Sequence, residues 1–465
     1  MAGPIRQARV GDIYAFELVG GRFGASQVVA KNEERVELVS FDAIWEALPT
    51  IAQASRAVPL RRFGELDRWQ VGPHPPWYAL FVGNCAPLVT VEGSSRRFSG
   101  WGTNAGLPRR ESEPTPVGLT PEITLDTGGG PWIEHQGAWR VFLDPQRTGG
   151  RTVRWSELDR LPELQEINYK GEDVGLISYL RQRQLRTLYW HGHGQGRLSL
   201  EGTGLSEISI DTIGLRELFL PESLEWLYLQ DPCTAHVRAA RNGRWIRLQV
   251  NGSDEHRSLE GLEGVRSLTL STRRVSLSEL SGYRDLRSLE VRGQFAALAQ
   301  LGALPELRSL QELLIHDAYM FNAEELPPAQ ELPNLEHVAF DGFPKEAKKV
   351  IEKRLAGVPR LELRRPRSAA WVEENRSNPF REWTDQDPRL GKAATAAWKA
   401  ACAAMGRRDD APTALKTFIA AFNRYETAID TVGREEICDA FHHLARGFGV
   451  PEGSAQDWLD EWRNF

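Results

Sequence analysis

The sequence predicts an α+β multidomain protein with three parts. These are a β-rich N-terminal domain over residues 1–150, a repeat solenoid with a parallel β-sheet over residues 151–367, and a small helical domain over residues 368–465. The first part alternates apolar and polar residues between glycine-rich turns, which is typical of strands. The second repeats a six-residue apolar pattern at spacings of 19 to 25 residues, which is typical of stacked structural repeats. The third places apolar residues at helical spacing.

The N-terminal domain is predicted to consist mainly of hairpins. Its predicted strands span residues 11–18, 25–30, 35–40 and 77–82. The first two are separated by a glycine-rich turn over residues 19–24. Residues 42–48 are predicted to form a short helix that ends before Pro49. The hairpins favour a small barrel or a curled sheet.

The opening strand pair resembles a small β-rich family of bacterial toxin-immunity domains. The matching residues are Gly11, Asp12, Ile13 and Tyr14 on one strand, and Gly21, Phe23, Gly24 and Val28 on the other. The resemblance covers residues 1–85. It implies that the chain neutralises a bacterial toxin.

The repeated pattern is Leu-x-x-Leu-x-Leu or a close variant. Its ten copies begin at Leu164, Leu185, Leu205, Leu224, Trp245, Val265, Leu286, Leu310, Leu335 and Val358. Alternate side chains of a strand point to opposite faces, so Leu227 and Leu229 are predicted to be buried, and Trp226 and Tyr228 exposed. The pattern resembles the bacterial leucine-rich repeat proteins, a resemblance that implies an architecture and partner binding rather than a reaction. The asparagine usual after the strand is mostly missing, which leaves the subclass open.

The segments before and after the repeats are predicted to form a capping hairpin, connecting loops and helices. Residues 132–134 and 139–143 are expected to form a hairpin that caps the first repeat, because a solenoid end would otherwise expose its core to water. Residues 93–130 are expected to be connecting loops. Helices are expected over residues 392–405, 413–428 and 434–448, with a fourth after residue 454.

Composition excludes several function classes. The net charge is −6 and the isoelectric point is about 6.0, so we expect no general attraction to nucleic acid or to anionic membranes. No apolar stretch has the length of a signal peptide or a membrane span. The four cysteines lack CxxC spacing, which favours a reduced, cytoplasmic location.

No motif predicts catalytic, cofactor-binding or metal-binding residues. His191 and His193 lack a third ligand at metal-site spacing. The glycine-rich residues 127–130 and 100–106 fit neither a phosphate loop nor a dinucleotide fingerprint, and turns are favoured instead. We therefore predict that the chain is not an enzyme and needs no cofactor.

The predicted functional feature is the exposed face of the solenoid sheet, which we expect to be concave. The predicted partner-binding residues are Tyr189, His191, Glu207, Asp211, Trp226, Tyr228, Arg247, Glu290, Arg292 and His316. Tyrosine, tryptophan and arginine dominate protein interfaces. The alternative is that the aromatic residues only stabilise one another across strands.

These observations predict a cytoplasmic, non-enzymatic protein that binds a protein partner through the concave face. The more specific prediction is an immunity protein that neutralises a bacterial toxin. The alternative is a scaffold or regulatory adaptor, and an enzyme acting through the N-terminal domain is less favoured. The sequence leaves the oligomeric state and the identity of the partner open.

Overall fold

The structure is a computed structural model of the chain. It describes residues 7–62, 65–91, 93, 95, 101, 133–135, 140–143, 153–159, 161, 164–230, 235–252 and 256–464. The connecting loops expected between residues 93 and 130, and with them both glycine-rich segments, lie almost wholly outside these residues. The chain divides into two compact units, Met1–Pro366 and Arg367–Phe465.

The N-terminal part of the first unit is built on an antiparallel sheet. Its strands are β1 (Asp12–Glu17), β2 (Phe23–Lys31), β3 (Val36–Ser40), β4 (Arg61–Arg62), β5 (Glu65–Leu66), β6 (Arg68–Val71) and β7 (Leu80–Asn84), with one short helix, α1 (Ile51–Ala54). Five of them form a sheet in the order β6-β3-β2-β1-β7, here called the N-terminal sheet. The β1–β2 pair is the expected hairpin.

The N-terminal sheet buries residues on both faces, which explains its long apolar runs. Tyr14 and Phe16 pack on one face, whereas Ile13 and Ala15 pack on the other. Gly11 adopts a φ of +90°, and a Cβ there would lie 2.4 Å from the carbonyl oxygen of Cys85, so the position requires glycine.

The helix predicted over residues 42–48 is wrong. Residues 42–48 are irregular with bends, and the backbone N–H of Trp45 donates to the carbonyl of Phe23. The helix forms instead at Ile51–Ala54, where Thr50 and Gln53 make a capping box.

The rest of the first unit contains many short strands. They are β8 (Ile133–His135), β9 (Arg140–Leu143), β10 (Glu166–Lys170), β11 (Thr187–His191), β12 (Arg197–Ser199), β13 (Glu207–Asp211), β14 (Glu217–Phe219), β15 (Trp226–Gln230), β16 (His236–Arg238), β17 (Arg247–Asn251), β18 (Ser267–Ser276), β19 (Ser288–Ala299), β20 (Glu312–Met320), β21 (His337–Pro344) and β22 (Arg360–Arg367). Within the described part of the chain, twelve of them form one sheet, here called the long sheet, in the order β22-β21-β20-β19-β18-β17-β15-β13-β11-β10-β9-β8. The pairs from β9 to β21 are parallel, and β8 joins β9 as the expected antiparallel hairpin.

The segments between the strands of the long sheet vary. Three of them contain β12, β14 and β16, which form a second parallel sheet. The helical ones are α2 (Trp155–Leu158), α3 (Leu176–Gln182) and α4 (Lys348–Arg354), with 3-10 turns at Ala240–Gly243, Leu277–Leu280, Leu301–Glu306, Ala323–Glu325, Ala329–Glu331 and Lys345–Ala347.

The predicted alternation of buried and exposed residues is confirmed along the long sheet. Leu227 and Leu229 are fully buried, whereas Trp226 and Tyr228 are half-buried on the opposite face. One copy of the pattern departs from the rule. The pattern predicts a buried side chain at Trp245, its first position, but Ile246 is buried instead.

The predicted fold class, an α+β protein organised around a leucine-rich repeat solenoid, is wrong. The fold is mixed α/β with many strands, and it shows no clear leucine-rich repeat solenoid. The physical reason is that the six-residue pattern reports only alternate burial in short parallel strands. It does not specify the connecting segments, which here change from extended strands to 3-10 turns and short helices.

The second unit is helical. Its helices are α5 (Ala369–Asn375), α6 (Trp383–Gln386), α7 (Pro388–Arg407), α8 (Ala411–Asn423), α9 (Thr431–Gly447) and α10 (Glu452–Trp462). Asp387, Asp410 and Asp430 cap the first turns of α7, α8 and α9 through their carboxylates. The helices enclose a core of their own, which includes Phe418 and Phe441. Within the described residues, no helix combines the length and the apolar character that crossing a membrane requires.

Candidate functional site

The ten predicted binding residues lie on one face of the long sheet. This surface, opposite the buried leucines, is here called the polar face. The register of the parallel strands aligns its side chains in rows that cross the sheet. The first row contains Glu207, Trp226 and Arg247, the second contains Tyr189, Tyr228 and Glu290, and the third contains His191, Asp211, Arg292 and His316.

The aromatic residues of the polar face are held by their neighbours. The rings of Trp226 and Tyr228 are stacked, with centroids 6.1 Å apart and an angle of 8° between the ring planes. The hydroxyl of Tyr189 donates to Oε1 of Glu207 over 3.2 Å. Burial and the negative charge of Glu207 raise the pKa of Tyr189 to about 12, so this tyrosine is neutral at physiological pH. These contacts are compatible with partner binding by the aromatic residues and also with the alternative that these residues only stabilise one another across strands.

A second group on the polar face is ionic. Oε1 of Glu290 lies 2.8 Å from Nε of Arg292 and 3.6 Å from Nε2 of His316. The hydroxyl of Thr269 donates to the other carboxylate oxygen over 3.3 Å. The side chain of Arg292 is 54% exposed, so part of its guanidinium faces solvent.

Asp211 stabilises a turn rather than presenting a free carboxylate. It accepts a hydrogen bond from the backbone N–H of Gly192. The buried ring of His193 accepts at Nδ1 from the N–H of Gln195, so its Nε2 donates to the backbone carbonyl of Asp211 over 2.9 Å. His191 is half-buried on the polar face. Among the described residues, no group of three or more histidine, cysteine, aspartate or glutamate side chains could hold a metal ion.

The N-terminal sheet contacts the polar face through Glu17, at the end of β1. Its carboxylate lies 2.8 Å from Nη1 of Arg266 and 3.3 Å from Nε of Arg244. The indole N–H of Trp245 donates to the same carboxylate over 3.3 Å. Burial alone would raise the pKa of Glu17, but the hydrogen bond and charge of Arg266, followed by the charge of Arg244, outweigh burial and lower that pKa.

A second contact between the N-terminal sheet and the polar face is made by Tyr78, just before β7. The guanidinium of Arg247 lies between two rings, 5.0 Å from the centroid of Tyr78 and 4.7 Å from that of Trp226. Burial raises the pKa of the Tyr78 hydroxyl, although the charge of Arg247 opposes the shift. Arg247 and Trp226, both predicted partner contacts, are therefore already engaged within the chain.

A cavity of about 430 Å³ remains between the N-terminal sheet and the polar face. Its aromatic side chains, here called the aromatic wall, are Phe16, Trp77, Tyr78, Trp226 and Trp245. Its arginines are Arg186, Arg244, Arg247, Arg266, Arg287 and Arg292. Four of the ten predicted binding residues line it, namely Trp226, Arg247, Glu290 and Arg292, and the other six do not.

Sequence reasoning missed the residues that close this cavity. Glu17 and Tyr78 are more than 160 residues away in sequence from the arginines they contact, and no pattern connects them. One sequence feature does indicate part of the cavity lining. Arg266 and Arg287 follow the first position of successive copies of the apolar pattern, which aligns them at one end of neighbouring strands.

No protein-family model matches this chain, and comparisons with curated proteins and with solved structures found no match. The candidate site is defined by its own geometry, as a polar face that is partly covered by the N-terminal sheet and a cavity that lies between the two.

Proposed function

We propose that this chain is a non-enzymatic protein-binding protein whose partner docks on the open part of the polar face. The open part comprises Tyr189, His191, Tyr228, Arg292 and His316. The observation that carries the proposal is that these residues form two adjacent rows at or beyond the edge of the cavity, with partly accessible side chains.

The tyrosines of the open part are ordered before a partner binds. Tyr189 is fixed by its hydrogen bond to Glu207, and Tyr228 by its stacking on Trp226. A side chain that is already ordered loses less conformational entropy when a partner docks, which favours affinity. Tyr189 and Tyr228 lie on strands two spacings apart, roughly 10 Å, so one loop of a partner can contact both.

The more specific proposal is that the partner is a bacterial toxin and that binding neutralises it. It is supported by the resemblance of the N-terminal hairpin to toxin-immunity domains. The residues that carry this resemblance, from Gly11 to Tyr14 and from Gly21 to Val28, lie on β1, β2 and the turns beside them. A scaffold or adaptor would use the same open part without abolishing a partner's activity.

The test compares the full-length chain with its Tyr189→Ala/Tyr228→Ala variant. A protein captured by the wild-type chain is purified, and its affinity for both is measured by calorimetry. Each replacement is expected to cost about 1–4 kcal/mol of binding free energy, as for interface hot spots. Tyr425→Ala, which removes a partly buried tyrosine from the helical unit, serves as the matched control.

Unchanged affinity in a folded double variant would contradict the proposal. Co-expression of this chain with the captured protein tests whether that protein is a toxin. Rescue of growth by the wild-type chain, but not by the double variant, supports a toxin. A captured protein that is harmless on its own contradicts the toxin proposal and favours the adaptor.

A further inference from the structure

We propose that the cavity between the N-terminal sheet and the polar face binds a small anion that carries a planar ring. The anionic group is assigned to Arg266 and Arg287, and the ring to the aromatic wall. This ligand site does not depend on the proposed protein partner, because Arg266, Arg287 and the aromatic wall are not among the residues of the open part of the polar face.

The first observation is the charge balance of the cavity lining. Against its six arginines stand four glutamates, namely Glu17, Glu225, Glu290 and Glu312. Three of these carboxylates already have partners. Glu17 binds Arg244 and Arg266, Glu290 binds Arg292, and Glu312 binds Ser288 and His337. The lining therefore retains an excess of positive charge.

Arg287 accounts for part of that excess. Among the described residues its guanidinium has no ion pair or side-chain hydrogen bond, and it lies 5.6 Å from the ring centroid of Trp77. Burial, followed by the positive charges of Arg266 and Arg244, lowers the pKa of Arg287. An anion beside Arg287 would offset both the burial and the repulsion.

The second observation is an unpaired donor on Arg266. Its Nη1 binds Glu17, but its Nε is buried and has no hydrogen-bond partner among the described residues. A buried donor without a partner is unfavourable, because it has lost its hydrogen bonds to water without replacing them. A carboxylate or phosphate oxygen would satisfy it, because guanidinium groups bind such oxygens through paired N–H donors.

The third observation is the combination of size and aromatic lining. A volume of about 430 Å³ falls within the range of roughly 300–1,000 Å³ typical of small-molecule sites. A free inorganic anion would leave most of this space unfilled. The side chains of the aromatic wall give the cavity an apolar side, so a ligand with a ring beside its anionic group fits better than a bare anion.

The test is calorimetric titration of the full-length chain with three probes, namely phenyl phosphate, inorganic phosphate and phenol. We expect phenyl phosphate to bind with one site per chain and at least tenfold more tightly than inorganic phosphate. We expect phenol, which lacks the anionic group at neutral pH, to give no measurable binding.

Two variants locate the binding site. Arg287→Gln is expected to weaken phenyl phosphate binding at least tenfold. Arg284→Gln, which removes an exposed arginine that does not line the cavity, is expected to leave it unchanged. Arg287→Lys keeps the charge and should retain more binding than Arg287→Gln, which separates loss of charge from loss of folding.

Three results would overturn the proposal. One is the absence of saturable phenyl phosphate binding to the wild-type chain. Another is equal binding of phenyl phosphate by wild type and a folded Arg287→Gln variant, which would show that the anion does not bind in this cavity. The third is equal affinity for phenyl phosphate and inorganic phosphate, which would show that the ring makes no favourable contact with the aromatic wall.

Discussion

Replacing Glu17 with glutamine tests the contact between the N-terminal sheet and the polar face. The change keeps the shape of the side chain but removes the charge that faces Arg244 and Arg266. Removing one partner of a fully buried ion pair costs about 3–5 kcal/mol, whereas an exposed pair contributes about 0–1 kcal/mol. The side chains of Arg266, Glu17 and Arg244 are 14%, 22% and 38% exposed. An intermediate loss of about 1–3 kcal/mol in the free energy of unfolding is therefore expected at pH 7, after allowance for solvent screening.

The pH dependence of the Glu17→Gln effect follows from the lowered pKa of Glu17. A carboxyl group whose pKa is lower in the folded state contributes stability that is fully present above its unfolded pKa, whose ordinary value is 4.5. That contribution is lost as the pH falls through the folded pKa. The difference between wild type and Glu17→Gln should therefore be largest near neutrality and shrink below pH 4.5.

The assay is urea denaturation followed by tryptophan fluorescence at several pH values. Glu34→Gln, at an exposed glutamate on the β2–β3 turn, is the control and should match wild type throughout. Two results would contradict this account. One is a Glu17→Gln variant whose midpoint urea concentration at pH 7 equals that of wild type. The other is a loss of unfolding free energy in Glu17→Gln that stays the same in acid.

Three further predictions concern stability. Leu268→Asp should unfold the first unit in a thermal melt, since it places a carboxylate at a site that is 1% exposed, whereas Ser271→Asp, beside Arg292 on the polar face, should be tolerated. A fragment of residues 367–465 should give a helical circular dichroism spectrum alone, because it encloses its own core. Burial lowers the pKa of His256 to about 4 from 6.5, so only the unfolded state takes up its proton between these values. Wild type should therefore lose about 1.4 kcal/mol per pH unit in that window, and His256→Asn should lack this loss in acid denaturation.

The sequence was informative where the structure depends on local periodicity. Alternation alone distinguished the buried Leu227 from the outward-facing Trp226, because strand side chains alternate between the two faces. Because each copy places its outward-facing residues at the same positions of the six-residue pattern, the sequence also predicted that these residues align in rows across neighbouring strands. Trp245 departs from the alternation, since its indole N–H donates to Glu17 while Ile246 is buried in the core.

Contacts between segments distant in sequence were beyond this reasoning. Nothing in the periodicity shows that Tyr78 would cover Arg247, since the contact depends on how the N-terminal sheet packs on the long sheet. The fold class was wrong for a related reason. The apolar pattern describes the strands but not the segments between them, and those segments distinguish one repeat architecture from another.

Hydroxyl-radical footprinting of the full-length chain, with and without a captured protein partner, tests the central claim most directly. The method reports the solvent exposure of individual side chains, and tyrosine and histidine react readily. We predict that Tyr189, Tyr228 and His316 become protected when the partner is bound, while Tyr425 in the helical unit reacts at the same rate. Unchanged oxidation of the first three side chains, with protection elsewhere on the chain, would contradict the assignment of the polar face as the binding surface.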